Sequence, residues 1–220
     1  MKHDELDAIL QVMENPVRRK IIKRLSQEPA YALQLSKELS LGQPLVAKHL
    51  RAMEEAGLVK TITESSPNGP ERKLYSLTKG VSITVDVGPN LFIERGTSFE
   101  PVPNKGKPSE EVGKLRKRVL DAEREDDTER LSRLSEILRD VDGRIQEIET
   151  ERGELLGVRN LAMQEAARVA TKFAQLEKRR VLFHILDEHD SEVERISEAL
   201  NLREFSVRSI LEELREYFDQ

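Results

Sequence analysis

The 220-residue chain contains no cysteine and no tryptophan, and only 4% of its residues are aromatic. Without cysteine it can form no disulfide, no thiolate metal site and no thiol-based switch. It also has no apolar run approaching the about 20 residues that cross a bilayer. Because its first residues form no apolar signal core either, we expect a protein that stays in the cytoplasm and makes no membrane contact.

Patterns typical of catalysis are also missing. Gly88 and Gly96 are isolated, so there is no glycine-rich phosphate loop. Serine, histidine and acidic residues are not organised into a nucleophilic set. His184 and His189 lie among carboxylates, but their five-residue spacing puts them on different faces of a helix. We therefore expect no enzyme, no metal site and no cofactor.

Charge, by contrast, is abundant, and it is unevenly distributed. Charged residues make up 35% of the chain, and the net charge is −5. Residues 1–80 carry a net charge of +3, from 13 Lys+Arg and 10 Asp+Glu, whereas residues 81–220 carry −8, from 23 and 31. This asymmetry favours a cationic binding module joined to an acidic remainder, although so small a positive excess also suits an ordinary solvated surface.

The segment from Ser36 to Val59 predicts two helices joined by a tight turn at residues 40–42. Each helix has one apolar face, formed by Leu35 and Leu39 and by Val46, Leu50 and Met53. The opposite face of the second helix carries the expected DNA contacts, which are Gln43, Pro44, Lys48, His49 and Arg51. For His49, packing at the edge of the helix is the alternative. A helix that is apolar behind and cationic in front suits the major groove of DNA.

A β-hairpin is predicted directly after this second helix. Leu58–Ile62 and Arg72–Leu77 read as strands around a tip rich in serine, proline, asparagine and glycine. Its expected DNA contacts are Lys60, Asn68, Arg72 and Lys73. A helix-turn-helix followed by a hairpin is a winged helix.

Asn15-Pro16 predicts a helix start upstream of these elements. The helix that follows exposes five cations, which suit either the DNA backbone or a solvated face: Arg18, Arg19, Lys20, Lys23 and Arg24.

Three segments resemble the ArsR-type winged-helix transcription regulators in order and spacing: Asn15–Leu25, Gln43–Leu50 and Glu55–Val59. The resemblance covers about residues 5–80 and implies DNA binding. The longer layout is similar to an archaeal sulfur-response regulator of that superfamily, which carries a Cys-x-x-Cys redox switch ahead of its helix-turn-helix. This chain has Ser26-Gln-Glu-Pro-Ala30 there, so the resemblance implies no redox sensing.

Beyond the wing, the sequence predicts a little more β structure and then a linker. Residues 81–87 alternate, which places four side chains on one half-buried face: Val81, Ile83, Val85 and Val87. A turn at residues 88–90 leads to a short strand, Leu91–Ile93. Glycine and proline then mark a linker over residues 96–108.

A heptad seam follows the linker. Its apolar positions are Leu131, Leu134, Leu138, Val141, Ile145, Ile148 and Leu155, with Arg152 as the one polar position. Such a seam must pair with another helix, from this chain or from a second copy. Gly153 and Gly157 each weaken a helix by about 1 kcal/mol, so we expect a break there that lets the helix fold back.

The C-terminal residues repeat the helix-turn-helix at a constant offset, which places Ser36 on Ser197. Without a gap, the apolar positions fall on Ile196, Leu200, Val207, Leu211 and Leu214. The surface differs, because Lys48 falls on Ser209 and Arg51 on Glu212, and residues 191–220 carry 4 Arg and 8 Asp+Glu. Such a surface repels phosphate, so we expect a scaffold, dimerising or partner-binding role there.

These patterns predict a mainly α protein with a small β component. We expect a winged-helix domain with an extra strand over residues 1–95, the linker over 96–108, a helical dimerisation region over 109–177 and a second helix-turn-helix without a wing over 178–220. The expected function is a nucleoid-associated transcription regulator that binds a palindromic site in double-stranded DNA as a homodimer, with a protein partner left open at the C-terminal module. The alternatives are a protein-interaction scaffold and a sequence-neutral chromatin protein, which would carry more positive charge.

Overall fold

The computed structural model describes residues 3–66, 69–99 and 109–218. The described residues fall into two compact units, the first formed by 3–87 with 92–99 and the second by 88–91 with 109–218. Helices dominate both, and β structure is confined to two small sheets. Among the described residues, no helix has the length and apolar character needed to cross a membrane.

The first unit contains the predicted helix-turn-helix and β-hairpin, together with a short strand, β1, that the sequence did not predict. Its elements are α1 (His3–Glu14), α2 (Pro16–Leu25), β1 (Ala30–Tyr31), α3 (Ala32–Glu38), α4 (Gln43–Glu55), β2 (Val59–Ser66), β3 (Gly69–Leu77), β4 (Gly80–Gly88) and β5 (Leu91–Phe99). The Asn15 side chain caps α2, accepting hydrogen bonds from the Val17 and Arg18 amides at 2.9 and 3.2 Å. This confirms the predicted helix start. Strands β1, β3 and β2 form one antiparallel sheet in that order, and β4 pairs with β5.

One apolar core joins the four helices of this unit to its sheet. Its fully buried side chains are Ile9, Ile21, Leu35, Val46, Leu50 and Met53. In α1, Leu6, Ile9 and Val12 are buried, whereas Met13 is exposed. The stripe predicted for α4 is confirmed.

The β4–β5 hairpin is longer and less covered than its pattern predicted. Strand β5 continues to Phe99, so residues 96–99 of the expected linker are strand, while 100–108 lie outside the described residues. Val81 and Ile83 pack against the core, but Val85 and Val87 are 47% and 74% exposed. The half-buried face is therefore confined to the first half of β4, where the core reaches it.

Residues 109–218 of the second unit are helical outside their short connections. They comprise α5 (Glu110–Ala122), α6 (Asp127–Ala170), α7 (Leu176–Glu188), α8 (Val193–Leu200) and α9 (Glu204–Phe218). The break predicted at Gly153 and Gly157 was wrong, because α6 runs without interruption for 44 residues. The chain reverses earlier, at residues 123–126, where the Asp126 side chain caps α6.

Packing at both ends of α6 explains how the helix tolerates its glycines. Near its start, Arg118 of α5 forms an ion pair with Asp140 at 2.6 Å, and Ile137 is buried. At its end, Ala170 belongs to the buried core that α7, α8 and α9 form. These contacts oppose the helix-weakening effect of the glycines, which is about 1 kcal/mol each.

The heptad seam lies along α6 and is mostly exposed among the described residues, with only Leu134 and Val141 half-buried. Five of its side chains are 49% to 69% exposed: Leu131, Leu138, Ile145, Ile148 and Leu155. The alternative in which a helix of the same chain covers the whole seam therefore does not hold for this structure.

The internal repeat predicted from the sequence is present as a second helix-turn-helix, α8–α9, supported by α7. Its fully buried side chains include Ile196, Val207 and Leu214, as the constant offset between the two copies requires. The turns also match. Ser40 and Asn201 have φ values of 55° and 52°, and each lies one residue before the leucine that ends the turn.

Candidate nucleic-acid interface

The turn between α3 and α4 fixes the direction of the second helix. Ser40 adopts a left-handed conformation with φ 55°. The Ser36 hydroxyl donates a 2.6 Å hydrogen bond to the Leu41 carbonyl, and the Leu41 amide donates to the Ser36 carbonyl at 3.0 Å. Because both bonds cross the turn, α3 holds the start of α4 at a fixed angle.

The far end of α4 is closed by glycine. Gly57 has φ 71°, a conformation that costs a residue with a side chain more than it costs glycine. The Leu58 amide donates to the Met53 carbonyl at 3.0 Å, which satisfies one of the last carbonyls of the helix. Helix α4 is thus held at both ends, and β2 begins directly after it.

Helix α4 presents a polar, mostly cationic surface opposite its buried stripe. Gln43, Pro44, Lys48 and Arg51 are all exposed, whereas Val46, Leu50 and Met53 are fully buried. The exposed acidic residues of the helix, Glu54 and Glu55, follow only in its last turn. The two cations of the surface therefore lie in the middle of α4, between an uncharged first turn and an acidic last turn.

His49 does not lie on this exposed surface, and of its two expected placements, facing DNA or packing at the helix edge, its burial favours packing. Its ring is only 8% exposed, and Nδ1 has no hydrogen-bond partner among the described residues. Burial lowers the pKa of His49, and the nearby charges of Arg18 and Lys48 lower it further. We conclude that His49 is a neutral core residue of α4 whose contact with DNA is an untested prediction.

The β2–β3 hairpin divides its cations between two faces. Thr63 pairs with Lys73 and Glu64 with Arg72, so alternation puts Lys60 and Arg72 on one face and Lys73 on the other. All three side chains are exposed. Asn68, the fourth residue predicted here, lies outside the described residues.

A contact that the sequence did not predict ties this hairpin to the strand before α3. The Tyr31 hydroxyl donates a 2.6 Å hydrogen bond to the Glu64 carboxylate. That bond raises the pKa of Tyr31, and Arg72 acts on the same tyrosine in the opposite direction. Alternation in the sequence can predict on which face of a strand a residue lies. It cannot predict the pairing of β1 with β3, which brings Tyr31 next to the hairpin.

The cations of α2 are used largely within the protein. Arg24 forms ion pairs of 2.5 Å with Glu38 and 2.7 Å with Glu28, and the Glu38 hydrogen bond raises its pKa. Arg18 donates to the Gln11 carbonyl at 2.8 Å and Arg19 to the Glu14 carbonyl at 2.9 Å. These three arginines join α2 to α1 and α3, a role that neither expected alternative, the DNA backbone or a solvated face, had included.

The equivalent surface of the second copy has different chemistry. Glu204, Phe205, Ser209 and Glu212 are the exposed residues at the positions of Gln43, Pro44, Lys48 and Arg51. Ile210, the counterpart of His49, is buried as His49 is. Within the part of the chain that the structure describes, no group of three His, Asp or Glu side chains could hold a metal ion.

Comparison with protein families identifies the domain to which the α4 surface belongs. Residues 15–61 match the family model described as bacterial regulatory protein, arsR family. That range contains α2, β1, α3, α4 and the start of β2. Residues 15–61 therefore form an ArsR-family helix-turn-helix domain, and with the β2–β3 hairpin it is a winged helix.

A curated relative matches the same region. An uncharacterised HTH-type transcriptional regulator of Methanocaldococcus jannaschii is 41% identical over 51 residues, which are 23% of this chain and 54% of that protein. The chain thus spans about half the length of the curated relative that it matches. Both the family and this relative are transcription regulators and not enzymes.

Two solved structures also resemble part of the chain. An ArsR family transcriptional regulator is 24% identical, with a TM-score of 0.30, over 36% of this chain and 75% of its own. HlyU from Vibrio cholerae is 26% identical, with a TM-score of 0.31, over 36% of this chain and 82% of its own.

Proposed function

We propose that this protein is a transcription regulator that binds a palindromic site in double-stranded DNA as a homodimer, at the nucleoid in the cytoplasm. The observation that carries the proposal is the exposed surface of α4 within an ArsR-family domain. Its Lys48 and Arg51 side chains can donate to guanine O6 and N7, and Gln43 can pair with adenine. The buried stripe behind them holds that surface in place.

The hairpin supplies the second part of the proposed interface. Lys60 and Arg72 share a face and are exposed, which suits contacts to phosphate oxygens beside the major groove. Such contacts add affinity without reading the base sequence. Lys73 and Asn68 remain predicted contacts. Because Lys73 and Arg72 lie on opposite faces of the hairpin, they would contact different phosphates.

The exposed seam of α6 supports the homodimer. A helix of 44 residues is about 66 Å long, and a second copy of the same helix could cover its apolar stripe. A two-fold dimer would place two α4 helices on one face of DNA, about 34 Å apart. A palindromic site follows from that symmetry.

Selection of bound DNA from a random library with the purified full chain tests this function. We expect enrichment of an inverted repeat whose half-sites lie about one helical turn apart. Enrichment of no sequence, with strong binding to all DNA, would favour a sequence-neutral chromatin protein. Failure to retain any DNA would favour the protein-interaction scaffold.

One observation favours a protein partner at the C-terminal module. Phe205 is 83% exposed in the first turn of α9, at the position that Pro44 has in α4. Exposed aromatic side chains are typical anchors of protein interfaces, and the acidic residues around this one oppose DNA binding. Replacement of Phe205 by Ala should weaken such a partnership and leave DNA affinity unchanged.

A further inference from the structure

The first unit contains a cleft that the proposed DNA contacts do not use. Its volume is about 970 Å³, at the upper end of the range found for small-molecule sites. Helices α1 and α2, the end of β3 and the first half of β4 enclose it. Its main apolar lining is Ile9, Ile22, Leu25, Leu77, Val81 and Ile83.

The charged groups around the cleft are paired within the protein, whereas the buried Ser76 hydroxyl, which also lines it, has no hydrogen-bond partner among the described residues. Lys79 forms an ion pair with Glu5, and Glu28 forms one with Arg24 at 2.7 Å. Lys79 and Glu28 are the charged residues of the described lining. Because neither offers a free charge, an ionic ligand would have to break an ion pair to bind. The lining therefore suits an uncharged and largely apolar ligand.

Two lining residues connect the cleft to the end of α4. The Thr78 hydroxyl donates to the Gly57 carbonyl at 2.7 Å, and the Thr78 amide donates to the Leu58 carbonyl at 3.0 Å. Leu58 in turn bonds to Met53 of α4 and belongs to the same buried core. A molecule that moved Leu58 or Thr78 would thus move the closing turn of α4 as well.

We propose that this cleft binds a small, uncharged, largely apolar molecule and that the bound molecule changes the affinity of α4 for DNA. The binding stands on the cleft alone, whereas the change in DNA affinity rests on the proposed function. The occupant we assign is a free small molecule, because the cleft has the volume of a ligand site and both charged residues of its described lining are already paired.

Titration of the full chain with the neutral fluorescent probe N-phenyl-1-naphthylamine tests the binding. Ile83→Trp should fill the cleft, whereas Val85→Trp adds the same side chain to the same face of β4 at an exposed position. We expect one probe bound per chain, an affinity at least about tenfold lower in Ile83→Trp, equivalent to about 1.4 kcal/mol, and no change in Val85→Trp. Ile83→Phe replaces the tryptophan variant if that variant does not fold.

Equal affinity in the two variants would overturn the proposal and would place the probe elsewhere, for instance on the exposed seam of α6. Absence of binding to the wild type would also overturn it. If raising the protein concentration made the chains associate and displaced the probe, a second copy of the chain would be the occupant and the proposal would fail.

A second titration, of the selected DNA site with and without saturating probe, tests the coupling. We expect the dissociation constant to change at least about threefold, which is about 0.7 kcal/mol. An unchanged constant at saturation would contradict the coupling. If the wild type bound no DNA, the proposed function would fail, while the probe titration would still decide the cleft.

Discussion

Helices α4 and α9 occupy equivalent places in two helix-turn-helix motifs whose turns are built in the same way. Ser36 and Ser197 each donate a 2.6 Å hydrogen bond to the carbonyl five residues on, at Leu41 and Leu202. Behind each second helix lies a buried stripe of the same spacing. The similarity shows that a few apolar positions and one left-handed turn residue are enough to specify this motif.

The exposed surfaces of the two helices differ in charge. In α4 the surface carries Lys48 and Arg51, whereas α9 has Ser209 and Glu212 at those positions. Because exposed positions contribute little to folding, they can change sign without loss of the motif. The comparison teaches that the shared skeleton predicts the fold of each copy, and that only the surface predicts what each copy binds.

The largest expected effect concerns the seam of α6. Pairing of two seams would form the dimer and so bring two α4 surfaces to one DNA site. Ile145→Glu with Ile148→Glu should dissociate the dimer, since burying each isoleucine is worth about 1.5–3 kcal/mol in each chain. Light scattering at micromolar concentration would then report a monomer. The matched control is Leu161→Glu, an exposed leucine on the same helix but off the seam. A wild type that is already monomeric would contradict the proposed dimer.

Next in size is the contribution of the hairpin, which the second copy lacks among the described residues. Arg72→Ala should weaken binding to all DNA sequences similarly and reduce the slope of log affinity against log salt by about 0.9. Arg208→Ala, which removes an exposed arginine of α9 with no proposed DNA contact, is the matched control. Binding isotherms at several salt concentrations measure both. An unchanged slope in Arg72→Ala would remove this residue from the phosphate contacts.

A smaller effect is expected at the turns, where the copies are most alike. Ser36→Ala and Ser197→Ala should each cost about 1 kcal/mol locally, because each removes one partly buried hydrogen bond. Hydrogen exchange should therefore become faster in α3–α4 or in α8–α9, respectively. DNA affinity should fall in the Ser36 variant alone. A loss of affinity in the Ser197 variant would give the second copy a part in DNA binding.

The smallest effect is a dependence of stability on pH that His49 gives the first copy. Burial lowers the pKa of His49, so below about pH 6.5 the unfolded chain takes up a proton that the folded protein does not. The free energy of unfolding is therefore unaffected by His49 above that pH, and it decreases as the pH falls below it. His49→Ile, which installs the residue of the second copy, should flatten this decrease.

Urea unfolding at pH 7.5 and 5.5 measures the effect of His49. Ile210→His is the reciprocal variant and should make the second unit acid-sensitive, because it places a histidine at an equally buried position. Identical pH dependence in the wild type and His49→Ile would contradict the assignment of His49 as a neutral core residue.

The sequence predicted most of the first unit because its local signals agree with one another. Asn15 caps a helix, the α4 stripe has helical spacing, and turn residues separate β2 from β3. The burial of His49 was also readable, since the offset that places Leu50 on Leu211 aligns His49 with Ile210. Because histidine is polar, we expected His49 on the exposed face of α4. Its alignment with the apolar Ile210 indicates a buried position instead.

Features that depend on distant packing could not be predicted in this way. The glycines of α6 suggested a break, but the local cost of each glycine is offset by packing at the two ends of the helix. The exposure of Val85 and Val87 depends on where the core ends, which an alternating pattern does not contain. The cleft beside β4 likewise arises only when four elements come together.

The most direct test exchanges the surfaces of the two copies. Affinity for the selected DNA site would be measured at one salt concentration for Lys48→Ser with Arg51→Glu, and for Ser209→Lys with Glu212→Arg. The first variant should lose about 2–6 kcal/mol, the sum of two base contacts of about 1–3 kcal/mol each, and the second should bind like the wild type. Wild-type affinity in the first variant, or a changed preferred sequence in the second, would contradict the assignment of DNA reading to α4.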